Sequence, residues 1–432
     1  MTSGNARLES VVVVDGCRTP FSRSGTDFTD LSSYDLGRAA VAGLLHRTHV
    51  DPEVVDMLVM GRVVSDPQTT NVAREVVFGT DLPDRCVAHT VTQACISSLQ
   101  AMIDVVRAIQ TGAVDVGIAA GTETASDLPL LFRRPMRKRL IAAQKARGLG
   151  GYLKLLRGLR PSDLLPQAVA IAERSTGETM GQNAERLAKK LGITRDQQDE
   201  FALASHQRAA EAAAAGLLHR QIVSLYPAPR FGAVSSDNGV RADTTMAKLG
   251  ALRPAFDRRF GTITAGNASF LSDGGSAVLL MREARASELG CNPLARLRSV
   301  GVTGQGPYDD LLVGPALAVP RALEQAHLEL EQVEVVELHE AFAAQVLAVS
   351  RLMQDGDFCR DRLRRDQPIG ALDPAHLNAW GGSLSVGHPF GATGGRLVAN
   401  CVHRMQHEGS RYGLLAACAG GGLAIGMVLE RM

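Results

Sequence analysis

Four short segments carry polar side chains that an apolar core does not need: Thr92 to Ser98 around Cys95, His339 to Phe342, Gly387 to Gly394 with His388, and Cys418 to Gly422. Cys95 stands just ahead of a helical pattern, where the helix N-terminus would stabilise a thiolate and lower the thiol's pKa. His388 stands before a second copy of that pattern. A quasi-twofold relation between the copies would set it beside Cys95 as its base. Cys418 ends a strand before three glycines, which let the backbone approach a reacting oxygen and present N–H donors. Carbon–carbon cleavage beside a ketone needs an acid for the departing enolate, and the reverse step needs a base. A second thiol of moderate pKa would serve both directions. His339, ending its strand, would point a ring N–H at the developing oxyanion, directly or through water; its tautomer is not fixed by sequence.

Each feature also has a plainer reading, since free cysteine often packs as a small hydrophobe and a histidine at a strand end often only satisfies hydrogen bonds. The glycine runs alone say little. No GlyLysSer/Thr follows Gly391 to Gly395, and no dinucleotide fingerprint follows the first strand, which disfavours nucleotide hydrolysis and hydride transfer. No metal is expected, because cysteines and histidines lack close ligand spacing along the chain.

The elements around these segments occur twice. Ser97 to Gly112 has helical apolar spacing with a Gly stop, and Val116 to Ala120 reads as a buried strand. A shift of 297 places Gly112 on Gly409 and Val116 to Gly121 on Gly413 to Cys418. A shift of 278 places Pro52 to Gly61 on Leu330 to His339. Buried strands separated by helices predict mainly parallel sheets covered on both faces. Gly420 to Val428 follows its strand directly, whereas its echo, Gly274 to Met281, comes about 150 residues late. An insertion therefore splits the first half. The expected layout is a first half at 1–126 completed by 262–288, an inserted loop domain at 127–261 carrying specificity, and a second half at 289–432.

The chain has 432 residues, 45% of them hydrophobic, with 44 glycines and 4% aromatics, which describes a large α/β core of more than one packed unit. A formal charge of +1 argues neither for nor against nucleic acid over the whole chain. Seven cysteines without metal-type pairing, and no basic-then-apolar leader, fit a reducing cytoplasm. No apolar run approaches the roughly 18 residues of a membrane span, so a soluble or peripheral protein is expected.

At the four segments, and from Val11 to the final strand, the chain resembles the thiolase family. The resemblance implies two βαβαβαββ halves stacked as five α-β-α-β-α layers, with a loop domain inserted in the first half. It also implies that Cys95 takes the acyl group, that His388 activates it and contributes to an oxyanion hole, and that Cys418 exchanges the proton with the acetyl-CoA enolate or incoming CoA. The backbone N–H groups of Cys95 and Gly420 would form a second oxyanion hole. Many thiolases have Asn-Glu-Ala-Phe where this chain has His339 to Phe342, which looks like the branch containing β-subunits of trifunctional fatty-acid oxidation complexes. Ser236 to Arg241 and Gly261 to Gly274 are similar to the same branch.

By that resemblance Arg241 lies near the nucleotide end of CoA, Ser269 near the pantetheine, and Phe342 at the acyl end. The family's His-Met-Gly wall is Thr179-Met180-Gly181 here, which leaves Met180 as its contact. The implied activity is thiolytic cleavage of a 3-ketoacyl-CoA by CoA in β-oxidation, with CoA as substrate and no cofactor. Synthesis of acetoacetyl-CoA and a non-catalytic acyl-CoA-binding or scaffold subunit are the alternatives. A ketosynthase would lack Cys418. A homodimer or homotetramer, with a hydratase/dehydrogenase α-type partner, is implied by the same resemblance.

From Leu128 to Ser162 no acidic residue occurs, while ten basic residues are interleaved with Leu, Ile and Tyr152. Such a segment suits peripheral contact with an anionic membrane or a partner subunit, attraction of polyanionic CoA, or simply a solvated face. Nucleic acid is not expected, since Tyr152 alone does not supply the set of aromatics and the groove that such binding uses.

Overall fold

The computed structural model describes residues 8–167 and 172–432; residues 1–7 and 168–171, in the expected first half and insertion, lie outside them. The first half runs Val11–Arg18 (β1), Ser33–Thr48 (α1), Met57–Gly61 (β2), Val72–Phe78 (α2), Val87–Val91 (β3), Ser97–Gln110 (α3) and Val116–Glu123 (β4).

Leu128–Ala172 is a compact unit of its own. It contains Arg134–Ala143 (α4), Gly148–Leu156 (α5), and Leu131–Phe132 paired antiparallel with Pro166–Gln167. Arg139 Nε donates to the Leu155 carbonyl at 3.0 Å, tying α4 to α5. Leu140, Ile141, Leu149, Tyr152 and Leu153 are exposed, so this unit has apolar as well as basic surface. The expected insertion is therefore not one body, because from Glu173 onward the chain clusters with the main unit. There Met180–Lys190 (α6) and Arg195–Ala214 (α7) begin with capping boxes at Thr179 and Thr194.

Ser272–Arg282 (β5) completes the first half. The second runs Ala295–Gly304 (β6), Pro315–Ala326 (α8), Val335–Leu338 (β7), Ala343–Met353 (α9), Thr393–Glu408 (α10), Tyr412–Ala419 (β8) and Leu423–Arg431 (β9). The strand order is β7-β8-β9-β6-β1-β5-β4-β2-β3. The two halves join where Val12 and Val13 of β1 pair with Arg296 and Ala295 of β6.

The sheet is mixed rather than mainly parallel. Pairs β2/β3, β2/β4 and β7/β8 are parallel, whereas β4/β5, β1/β5, β8/β9 and β6/β9 are antiparallel. Each half ends in two strands that pair antiparallel, β4 with β5 across the inserted segment and β8 with β9 directly. In the second half the three glycines at 420–422 suffice to turn the chain straight back, which only an antiparallel pair permits.

Strand alternation sorts the cores into layers. Val116, Ile118 and Ala120 of β4, with Leu279 and Met281 of β5, pack on α1 and α2. Ala119, Val278 and Leu280 face the other way, with Leu415 and Met427, onto α3 and α10. Leu414, Ala416 and Val428 face outward onto α8 and α9. The result is the five-layer α-β-α-β-α order.

The echoes occupy matching places: Pro52–Val54 and Leu330–Gln332 are both single 3₁₀ turns leading into β2 and β7. Gly112 and Gly409, each at φ +72°, close α3 and α10. These two helices meet at their N-terminal ends, where the Gly395 N–H donates to Ser98 Oγ at 3.0 Å. A Cβ on Gly394 would come within 2.6 Å of Leu99 Cγ, so the approach depends on its absence. That approach brings together the residues just upstream of both helices.

Candidate active site

Cys95 lies in the turn between β3 and α3. Ala94 has φ +46°, a left-handed conformation that disfavours a side chain, and it sharpens the turn. Ser97 Oγ accepts from Gln93 N–H (2.8 Å) and donates to the Ala94 carbonyl (2.7 Å), holding it. The expectation of a depressed thiol pKa is overturned. Burial pushes the Cys95 thiol up to about 12, against the pull of the Gly420 and Cys95 backbone N–H groups; the charges of Glu123 and Glu173 add to the rise. Loss of water around the sulfur outweighs two donors, so the resting group is a neutral thiol that needs a base.

His388 provides one. Its backbone N–H donates to Ser272 Oγ at 3.1 Å, and its Nδ1 lies 2.6 Å from Thr393 Oγ1. The Thr393 hydroxyl donates to the Pro389 carbonyl at 3.0 Å, so its lone pair is left to accept Nδ1–H. Nε2 then carries the lone pair, and it has no partner. Burial, then the Arg396 charge, lowers the His388 pKa to about 3, which keeps the ring neutral.

His339 follows β7, where its N–H donates to the Ala416 carbonyl of parallel β8 at 2.8 Å. Its ring centroid is 4.2 Å from that of His388. Nδ1 lies 2.9 Å from Ser383 Oγ, and Nε2 is buried without a partner. Burial, His388 and Arg396 hold its pKa well below the ordinary value. Glu340 anchors the loop carrying Ser383, accepting from Ser205 Oγ (2.8 Å), Asn378 Nδ2 (2.7 Å) and Leu384 N–H (3.1 Å).

Cys95 Sγ and one ring nitrogen each of His339 and His388 lie within 4.8 Å of one another. Spacing along the chain therefore did not exclude a donor cluster: three separate segments bring together a Cys/His/His set that a soft cation can take.

Cys418 lies buried at the end of β8, within one apolar cluster with Phe342 and, at its margin, Met180. Burial, and then the Cys95 charge, raise its thiol pKa, where a moderate value was expected. Gly420 follows, and its N–H reaches the Cys95 sulfur. A Cβ at Gly420 would stand 3.0 Å from Glu173 Oε1 and 3.6 Å from Ala94 Cβ, so the site is tight. Glu173 also accepts from Gly421 N–H at 2.7 Å.

Thr179 is spent on capping α6, and Gly181 gives way to the Phe256 ring, which meets Phe342 edge-on at 6.2 Å. Ser269 N–H donates to the Ala341 carbonyl at 3.0 Å, linking its loop to the His339 segment. Arg241 is exposed and not part of the thiol–imidazole cluster; its N–H donates to His206 Nδ1 at 3.2 Å. Arg23, stacked 4.3 Å over Phe270, is close enough to Arg241 for the latter's charge to lower its pKa, after burial.

Sequence reading missed Arg23, Glu173, Phe256, Ser383, Thr393 and Arg396. Only Thr393 carried a signal, as a hydroxyl five residues past a candidate base.

The thiolase N-terminal domain family matches residues 11–284 and the thiolase C-terminal domain family residues 291–431. The chain is 45% identical over 424 residues to the 3-ketoacyl-CoA thiolase of Pectobacterium carotovorum, covering 98% of this chain and 97% of that protein. It is 44% identical to the mitochondrial trifunctional enzyme subunit beta of Bos taurus, over 99% of this chain and 90% of the relative. The crystal structure of human mitochondrial 3-ketoacyl-CoA thiolase superimposes with a TM-score of 0.85 at 30% identity, covering 99% and 100% of the two chains.

Proposed function

The chain belongs to the thiolase family, and on that premise we propose that it is a degradative 3-ketoacyl-CoA thiolase. The observation that carries the reading is the convergence of Cys95 Sγ, two neutral imidazoles and the Gly420 N–H. His388 Nε2 takes the Cys95 proton as the sulfur attacks the 3-keto carbon. The Cys95 and Gly420 N–H groups receive the alkoxide. Collapse breaks the bond to C2, the acetyl-CoA enolate takes a proton from Cys418, and the acyl chain stays on Cys95. The Cys418 thiolate then takes the proton of incoming CoA, whose sulfur displaces the acyl group. The Cys95 thiolate recovers its proton from His388, and both thiols are restored.

Phe342 and Met180 border the acyl and pantetheine path, Ser269 the pantetheine, and Arg241 with Arg23 the phosphates. No cofactor enters this scheme. The same residues run backwards make acetoacetyl-CoA, and the similarity to 3-ketoacyl-CoA thiolases favours cleavage. A binding or scaffold subunit has no use for a thiol, a base and two donors at one point. We place the enzyme in the cytoplasm as a homodimer or homotetramer, with an α-type hydratase/dehydrogenase partner suggested by its likeness to a trifunctional enzyme subunit beta. The basic, apolar-tipped unit would rest on an anionic membrane. No helix among the described residues is long and apolar enough to cross one.

The test is loss of 3-ketoacyl-CoA absorbance on adding CoA, across short to long chains, with Cys95→Ala in parallel. Turnover by the wild type that vanishes in the variant is expected. Turnover that survives it sinks the reading.

A further inference from the structure

Behind His339 lies a chain of buried polar groups that the reaction scheme does not use. Ser383 Oγ stands 2.9 Å from His339 Nδ1 and 2.6 Å from Arg396 Nη2. Arg396 is fully buried; its Nη1 is 3.8 Å from Glu337, and its Nε and Nη1 have no hydrogen-bond partner. Glu337 is in turn held by Arg404 Nη1 at 2.8 Å and Asn400 Nδ2 at 3.3 Å. A guanidinium this deep, with two nitrogens lacking hydrogen bonds and its carboxylate partner at 3.8 Å, is costly.

The hydrogen bookkeeping says what it does. A guanidinium has donors only, so Ser383 Oγ must accept from Arg396. The single hydroxyl hydrogen of Ser383 is then free, and the other neighbour that the oxygen meets is His339 Nδ1. We infer that Arg396 and Ser383 are positioning residues that fix His339 in the tautomer with its proton on Nε2, so that His339 faces the reacting centre as a donor. His388 is held the opposite way by Thr393, with Nε2 as lone pair. Two adjacent imidazoles thus divide the work, one accepting the Cys95 proton and one donating to the enolate oxygen of the departing acetyl-CoA.

The assignment rests on the thiolase reading and predicts a split between half-reactions. Exchange of CoA into acetyl-CoA needs Cys95, His388 and the Gly420 N–H, but forms no enolate. Cleavage of a 3-ketoacyl-CoA forms one. Ser383→Ala removes the hydroxyl that fixes His339, and is expected to lower kcat for cleavage about 10²-fold, the usual loss for one oxyanion donor, with KM little changed. Acyl exchange should stay near the wild-type rate. Ser383→Thr, which keeps a hydroxyl, should recover part of the loss.

A second measurement needs no variant at position 383: ¹⁵N spectra of the histidine-labelled wild type, assigned with His339→Gln, should show His339 Nδ1 without a proton. A protonated Nδ1 in an active enzyme, or equal loss of both half-reactions in Ser383→Ala, overturns the assignment alone. A wild type that neither exchanges nor cleaves overturns the thiolase reading, and this assignment with it.

Discussion

The backbone N–H of Gly420, in the turn after β8, comes near enough to the sulfur of Cys95, in the turn before α3, to pull on the thiol's pKa. The donor meets a desolvated neutral thiol, not a ready thiolate, and this sets the expected pH behaviour of the nucleophile. With its pKa at about 12, alkylation of Cys95 by iodoacetamide should rise about tenfold per pH unit towards alkaline pH without levelling off. Peptide mapping of the modified protein measures it. A plateau below about pH 8 would mean a stabilised thiolate and reject the burial argument.

Cys418→Ala removes the acid that protonates the enolate while leaving Cys95 and His388 in place. Cleavage should fall by about 10²- to 10⁴-fold, the span for a lost acid–base group, with alkylation of Cys95 intact. A ketosynthase, whose carbanion comes from loss of CO₂, would keep condensing a malonyl thioester after the same change. Cleavage at the wild-type rate would remove Cys418 from the mechanism.

The buried histidines make stability depend on pH. His388 titrates at about 3 in the fold and near 6.5 unfolded. Above the unfolded value neither state binds the proton, and the group contributes nothing. Below it the unfolded chain takes up a proton that the fold refuses, so stability falls by about 1.4 kcal/mol per pH unit as pH drops. Glu123, raised by burial to about 7, acts in the opposite sense between that value and 4.5, so only a comparison isolates the histidine. Urea midpoints of wild type and His388→Asn should shift relative to each other, in favour of the variant, from about pH 6.5 down to about pH 4. A difference that does not change with pH contradicts the neutral buried ring.

The proposed scheme through Cys95, His388 and His339 uses no metal, although the three donors lie within 4.8 Å. Activity should persist after exhaustive chelation, whereas added Zn²⁺ should inhibit by capturing the thiolate and both imidazoles, reversibly on adding EDTA. Inactivation by the chelator alone would refute cofactor-free chemistry.

The unit at 128–172 offers a separable test. Charge reversal of Arg133, Arg134, Arg137 and Lys138 should abolish co-sedimentation with anionic vesicles, and salt should weaken that of the wild type. Turnover of soluble short-chain substrate should be unchanged. Equal sedimentation of both proteins would dismiss the membrane reading.

Much of the plan was legible because it depends on local pattern. The twofold echo of turn, strand and helix shows in the apolar spacing and in Gly112 and Gly409, which close α3 and α10 with the same left-handed φ. Cys95, His339, His388 and Cys418 stood out because polar and reactive side chains recur at matching strand and helix ends of the two halves. The division of 127–261 did not show, because helical patterns such as α6 and α7 say nothing of which body they pack on. Thr179 looked like a changed wall residue, yet its hydroxyl caps α6.

By itself the sequence determined the periodicities, the duplicated order of elements and the reactive groups at their ends, since these follow from neighbours along the chain. Only the tertiary structure decided that strands β4 and β5, and β8 and β9, run antiparallel, that burial raises the Cys95 thiol, and that Arg396 reaches Ser383 behind His339. Desolvation and hydrogen-bond direction depend on groups remote in sequence, such as Gly420 over Cys95, and those meet only once the layers have packed.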